Sequence, residues 1–226
     1  MTTAWCILFA GIILDIIFIW AFYQNKYRSI LFFKTVSSVM FVILGILFTL
    51  KYQDTALSWL VVCGLTLGLL GDFFLDAGPV FHSLEKNSFT LGCGTFLFGH
   101  LFYIARSLIL MNNSGNWIMI LYALIGCIIG GLLIKQMFKV CTPPADVKIT
   151  GVLYLLVLDF SCFLACGLYF AKAGSAAMAV GTLLFAVSDH MLTYDYFGNT
   201  KIRWFHGVLL ILYYAAQCCI AFSILG

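Results

Sequence analysis

Five aspartates stand where a charged side chain is costly. Asp15, Asp72, Asp76, Asp159 and Asp189 all fall inside long apolar runs, in the company of His100 and His190. A carboxylate at the centre of a membrane span carries a penalty of about 3 kcal/mol on insertion scales, and such residues usually face a bundle interior or a water cavity. A single one has a bland account: a neutral acid hydrogen-bonded to the next helix. Five together make that account less sufficient for the set. Two carboxyls brought together can divide acid–base work, one donating a proton while the other accepts one or stabilises positive charge.

Spacing narrows the set. Gly68, Asp72 and Asp76 recur every fourth residue, with Gly64 one turn earlier, so one stripe of a helix carries small residues into carboxylates. That stripe is expected to face another helix. Near the C-terminus His206, Tyr213 and Gln217 share a helical face, with Tyr214 beside them, and His100 and Tyr103 are three residues apart. For these His and Tyr residues, interhelical hydrogen bonding or an interfacial aromatic belt is the structural alternative. The belt reading is strongest for Trp204 and His206, at a span entrance.

The elements that must position these groups are membrane spans. The chain has 226 residues, 63% hydrophobic and 9% charged. A water-soluble domain needs roughly 25% charged residues to cover its surface. Stretches of about 20 apolar residues predict a span each. Eight are expected, over 4–23, 31–50, 56–77, 88–110, 117–137, 149–171, 175–196 and 203–225, making 1–226 a single all-α transmembrane helix bundle with no soluble domain. Breaker and polar clusters separate them, among them Gly78-Pro79, Asn112-Asn113-Ser114-Gly115-Asn116 and Thr142-Pro143-Pro144. Short connections make neighbouring helices antiparallel.

Orientation follows from Lys and Arg. The odd-numbered connections carry Lys26, Arg28, Lys34, Lys86, Lys135, Lys139, Lys148, Lys201 and Arg203, against Lys51, Arg106 and Lys172 on the even ones. The positive-inside rule then puts both termini outside the cytoplasm. Asp72 and Asp189 fall in the cytoplasmic halves of the third and seventh spans, at similar depth, the prerequisite for a paired site. The first run has no basic flank before it, which argues against a cleaved signal peptide.

Several classes lose support. The net charge of +3 is too small to suggest nucleic acid. Nine cysteines without a C-x-x-C read as apolar packing residues. No phosphate loop, G-x-S-x-G, H-E-x-x-H or Arg-rich span occurs, and no inverted repeat relates the halves. Gly64/Gly68, Gly126/Gly130 and Ala177/Gly181 are small-residue pairs that let helices approach.

An ordered set of segments resembles the YhhN-type, lysoplasmalogenase-like membrane proteins. It comprises Leu70-Gly71-Asp72, Gly94-Thr95-Phe96-Leu97-Phe98-Gly99-His100-Leu101-Phe102-Tyr103, Gly181-Thr182-Leu183-Leu184-Phe185-Ala186-Val187-Ser188-Asp189, Tyr194-Asp195-Tyr196-Phe197 and Tyr213-Tyr214-Ala215-Ala216-Gln217. The resemblance runs from the third span to the C-terminus; the first two spans match in hydropathy alone. It implies a multi-pass hydrolase that cleaves the vinyl-ether bond of lysoplasmalogens to a fatty aldehyde and a glycerophospho-ethanolamine or -choline. It places the family's two aspartates on Asp72 and Asp189, with His100, Tyr103, Tyr213, Tyr214 and Gln217 in supporting segments. Nothing is transferred to Asp76.

The chemistry suits the residues. A vinyl ether hydrolyses by protonation of its β-carbon, addition of water to the resulting oxocarbenium ion, and collapse of the hemiacetal. Two carboxyls can supply the proton, the charge stabilisation and the positioned water, as in glycoside hydrolysis. No metal or other cofactor is expected. The expected partners are a lysophospholipid substrate and membrane lipids, in the inner membrane of a bacterium or the endoplasmic reticulum or another endomembrane of a eukaryote; the sequence leaves oligomeric state open. Two alternatives stay open. One is another lipid hydrolase, of lysophospholipid or ceramide type, with Asp72, His100, Asp189 and His206 as metal ligands. The other is a non-enzymatic binder or transporter of lipid or ions.

Overall fold

Capping and breaker residues divide the described residues into eight α-helices. In the computed structural model these are α1 (Thr2–Tyr23), α2 (Tyr27–Tyr52), α3 (Ala56–Ala77), α4 (Ser88–Ser114), α5 (Met119–Met137), α6 (Ala145–Phe170), α7 (Ala176–Phe197) and α8 (Phe205–Phe222). The structure describes residues 2–24, 26–52, 55–200, 202 and 204–226, without the side chains of 2–6, 8, 12 and 15. Asp15, Lys201 and Arg203 of the sequence reading therefore lie wholly or by their side chains outside the described residues.

Local chemistry sets the helix ends. Thr55 and Ser175 accept the backbone N–H groups of Ser58 and Met178, satisfying otherwise orphaned donors at the starts of α3 and α7. Gly115 ends α4 at φ 70°, a left-handed conformation that suits a residue without a Cβ. Pro143 and Pro144 precede α6, since proline cannot donate within a helix but fits just ahead of one. Several helices outrun their expected spans. α2 starts at Tyr27, α4 continues to Ser114 and α6 begins at Ala145. Helical hydrogen bonding continues into polar residues at the hydrocarbon boundary, where hydropathy no longer marks it.

Seven helices, α2 to α8, are long and apolar enough to cross a membrane among the described residues, while α1 is described as apolar over Phe9–Tyr23. The chain is thus an all-α polytopic bundle of an integral membrane protein. Seven helices close a ring: α1 lies against α2, α2 against α3, α3 against α4, α4 against α6, α6 against α7 and α7 against α8. α8 completes the ring, touching α1, α2 and α3. α5 stands outside it, packed on α6.

The small-residue stripes are where this ring tightens. A Cβ at Gly64 would overlap the Tyr103 ring, one at Gly71 the Phe96 ring, and one at Gly126 the Phe163 ring. Gly181 approaches the Ala216 carbonyl, seating α7 on α8. At one end of the bundle the α5–α6 and α7–α8 connections clasp each other. The Thr142 N–H donates to the Phe197 carbonyl at 2.9 Å and the Asn199 N–H to the Val140 carbonyl at 3.0 Å.

Two of the basic residues used for orientation are buried inside the bundle. Lys34 is buried in α2, and Arg106 is buried in α4, where its guanidinium donates to the Ser223 carbonyl at 3.2 Å. Setting both aside leaves eight cations on the side of the α1–α2 connection and two on the other, so the asymmetry strengthens. The expected result is that a tag at either terminus is labelled by an impermeant reagent from the non-cytoplasmic side. Labelling from the cytoplasm would overturn the orientation.

Candidate active site

α3 carries no charged residue before its last two turns, so its carboxylates must find partners within the bundle. Asp72 finds three. The Ser38 hydroxyl of α2 and the Tyr213 hydroxyl of α8 each donate to its Oδ2 at 2.6 Å. The Lys34 ammonium lies 3.6 Å from its Oδ1. The same ammonium pairs with Asp76 Oδ2 at 2.9 Å. Lys34 and Asp72 are both buried, and Asp76 nearly so. A buried ion pair is tolerated when its geometry is good and further hydrogen bonds satisfy the remaining groups; here Asp76 makes the close contact to the ammonium, and the two hydroxyls satisfy Asp72 Oδ2. Gln217 supports the arrangement from one turn further along α8, its Nε2 donating to the Tyr213 hydroxyl oxygen at 2.9 Å. Gly68 makes room for Gln217, since a Cβ there would come within 2.8 Å of that Nε2.

Asp189 of α7 sits opposite in a differently built environment. The Tyr154 hydroxyl of α6 donates to its Oδ2, and the Ser188 hydroxyl donates to its Oδ1 at 3.2 Å. No Lys or Arg pairs with Asp189 among the described residues. Asp72 and Asp189 both line one cavity of about 20 Å³, with Lys34, Phe96, Leu210 and Tyr213. That volume holds about one water molecule. All these groups lie on the α1–α2 side of the bundle, about 8–12 Å along their helices from the nearest ends at 1.5 Å per residue.

Beneath the cavity is an aromatic floor. Phe96 lies edge-on to Phe185 and Tyr213, with ring centroids 5.9 and 6.1 Å away. His100 lies below, edge-on to Phe185 at 4.8 Å and to Tyr103 at 5.4 Å. It does not line the cavity, and neither of its ring nitrogens has a hydrogen-bond partner. Tyr103 packs its ring on Gly64. Tyr214 points the other way, into a larger apolar groove. Of the residues expected at the site, Asp72, Asp189, Tyr213 and Gln217 come together, whereas His100, Tyr103 and Tyr214 occupy the surrounding shell.

The remaining intramembrane groups make separate pairs. Asp159 of α6 lies 3.6 Å from His190 of α7, on the side where Gly130 of α5 leaves space for its carboxyl. His206 lies 2.8 Å from Asp195 and stacks on Phe22 with centroids 3.6 Å apart. The four ligands of the metal alternative therefore do not converge, and among the described residues no three His, Cys, Asp or Glu side chains form a metal-binding group. Three contributors escaped the sequence reading: Lys34, Ser38 and Tyr154. Lys34 and Ser38 are one helical turn apart, and a lysine and a serine on one face of an apolar helix were the available signal. Tyr154 carried none, because a tyrosine in an apolar span has many ordinary explanations.

Nothing among curated proteins or solved structures matches the chain. The model of the YhhN family matches residues 7–224, which spans both carboxylates and every helix that surrounds them. The chain therefore belongs to the YhhN family.

Proposed function

We propose that this protein is a membrane-embedded hydrolase that cleaves the vinyl-ether bond of lysoplasmalogens, giving a fatty aldehyde and glycerophospho-ethanolamine or -choline. The observation that carries the reading is the shared cavity: Asp72 from α3 and Asp189 from α7 line one water-sized space within the bundle. Membership of the YhhN family is consistent with a hydrolase of this type.

The unlike surroundings of the two carboxyls suggest a division of roles. Asp72 has a cation and two hydroxyl donors, all of which favour its charged form. Lys34 is shared with Asp76, so with both aspartates charged the cluster carries one net negative charge. Asp189 has two hydroxyl donors but no Lys or Arg partner among the described residues, so its charged form is less favoured and it is the better proton donor. In this scheme Asp189 protonates the β-carbon of the vinyl ether. The double-bond electrons form the new C–H bond, and the positive charge settles on the α-carbon and ether oxygen. The negative cluster around Asp72 stabilises that ion. A water in the cavity attacks the α-carbon and yields a proton to Asp72. The hemiacetal then collapses: its O–H proton passes to Asp189 as the C=O bond forms, the bond to the glycerol oxygen breaks, and the proton held by Asp72 passes to that oxygen, giving aldehyde and alcohol and restoring both carboxyls. No redox partner is needed, because the elements of one water account for both products.

The test is aldehyde release by the purified full chain from a lysoplasmalogen, with the saturated alkyl-ether analogue as control. Aldehyde from the first and none from the second is the expected result. Fatty acid released from a lysophosphatidylcholine or a ceramide, without aldehyde from the vinyl ether, would replace this reading with an ester or amide hydrolase. No product from any of them would favour a binder or transporter.

A further inference from the structure

A second, much larger space lies beside the candidate site. It is a groove of about 430 Å³ between α1, α2 and α8. Its volume is within the roughly 300–1,000 Å³ of small-molecule pockets. Gly11 and Ile19 of α1, Met40 and Phe41 of α2, and Ile211 and Ala215 of α8 line it, so the wall is almost wholly hydrocarbon. We infer that this groove binds the single hydrocarbon chain of a lysolipid and holds it with its polar end at the Asp72–Asp189 cavity.

Three observations carry the inference, which rests on the hydrolase reading for the identity of the ligand's head. The first is continuity. Leu210 lines both the groove and the cavity, so the two spaces share a wall residue. The second is register. Ser37 and Tyr214 on the groove wall are the chain neighbours of Ser38 and Tyr213, the two hydroxyls that donate to Asp72. The Ser37 end of the groove is therefore level with the carboxylate cluster along α2 and α8. The third is an orphaned group. Ser37, a lining residue of the groove, is 3% exposed, and its buried hydroxyl has no hydrogen-bond partner. A buried hydroxyl without a partner is uncommon, because leaving it unmet is unfavourable. An oxygen near the glycerol end of a lysolipid would satisfy it, and a plain stretch of alkyl chain would not. A wall shared at a single leucine suits one chain rather than two.

The test separates binding from turnover. The probe is a saturated alkyl-ether lysophosphatidylethanolamine in chain lengths of twelve to eighteen carbons, which has no vinyl double bond to protonate. Its binding to the full chain in detergent is read as ligand-dependent thermal stabilisation. Ala215→Phe narrows the groove from a position already open to it. It is expected to weaken binding of the longest chain by about tenfold and of the shortest little, since each lost methylene contact counts. Ser37→Ala should weaken every chain length by about three- to tenfold, the worth of one neutral hydrogen bond, while unliganded stability stays level. A hydroxyl with a purely structural role would instead lower the unliganded stability and leave affinity alone. If Ala215→Phe does not fold, Gly11→Leu on the opposite wall serves. A Cβ at Gly11 meets nothing closer than Met40 Cβ at 3.6 Å.

Chain-length preference identical in wild type and the narrowed variant overturns the groove, as does equal competition by a diacyl phosphatidylcholine, which would make it ordinary lipid-facing surface. Aldehyde release with that result leaves the hydrolase reading intact. Chain-dependent binding altered by Ala215→Phe, with no aldehyde from any lysoplasmalogen, keeps the groove and removes the reaction.

Discussion

Asp189→Asn and Asp72→Asn should each lower the initial rate on a lysoplasmalogen by about 10²–10⁴-fold, the range for a lost general acid or base. Each swap keeps the side chain's volume and one acceptor oxygen while removing the proton donor or the charge. At position 189 an amide oxygen can still accept from Tyr154, and at position 72 from Ser38 and Tyr213. Lys34 keeps Asp76 at 2.9 Å in the Asp72 variant, so no cation is stranded. Expression and thermal stability in detergent should therefore stay near wild type. Asp159→Asn is the internal control. It removes an equally intramembrane carboxyl, but one paired with His190 away from the cavity, and should retain most activity. Asp15→Asn should behave likewise. Full activity in Asp72→Asn or Asp189→Asn, or activity lost in step with folding, would leave these groups as structural acids and remove the two-carboxyl mechanism.

The bundle was legible because lipid imposes a simple rule on sequence. Every span must hide its backbone polar groups in a helix, and apolar length alone then marks it. The stripe from Gly64 to Asp76 was legible for a related reason: small residues and carboxylates on one face have few reasons to meet lipid. The structure turns Gly64, Gly68 and Asp72 inward as that stripe requires, with Tyr103 and Gln217 filling the space. Lys34 was harder to read. A lysine near a span boundary satisfies the positive-inside count just as well as it satisfies a buried pair, and hydropathy does not distinguish the two. What decides between them is the angle of α2 about its axis, which is set by packing against α3. The same limit hid Tyr154, whose meeting with Asp189 depends on α6 lying next to both α4 and α7. Short connections require antiparallel neighbours, but they do not say which helix is left outside the ring. Here α5 is, and its sequence neighbours α4 and α6 pack directly on each other.

Lys34 offers the sharpest separation of folding from chemistry. Lys34→Met leaves Asp72 and Asp76 facing each other inside the bundle without their shared cation. Removing one partner of a buried pair is destabilising by about 3–5 kcal/mol, because the surviving charge stays buried and uncompensated. A large fall in thermal stability and an inactive protein are expected, and neither alone reveals a role in the reaction. Adding Asp76→Asn changes the arithmetic. The cluster again carries one negative charge, as it did with Lys34 and both aspartates present. Stability should then recover most of the loss. Activity should not recover, and is expected to stay at least about 100-fold below wild type. Asp72 in the double variant has hydroxyl partners and no cation, which makes its surroundings like those of Asp189, and two similar acids cannot divide the roles of donor and acceptor. The measurement is a thermal unfolding curve beside the aldehyde-release rate for wild type, both single variants and the double variant. If rate and stability return together in the double variant, Lys34 is a counter-ion for Asp76 alone. The distinction between the two carboxyls must then come from Tyr154 and Tyr213 instead.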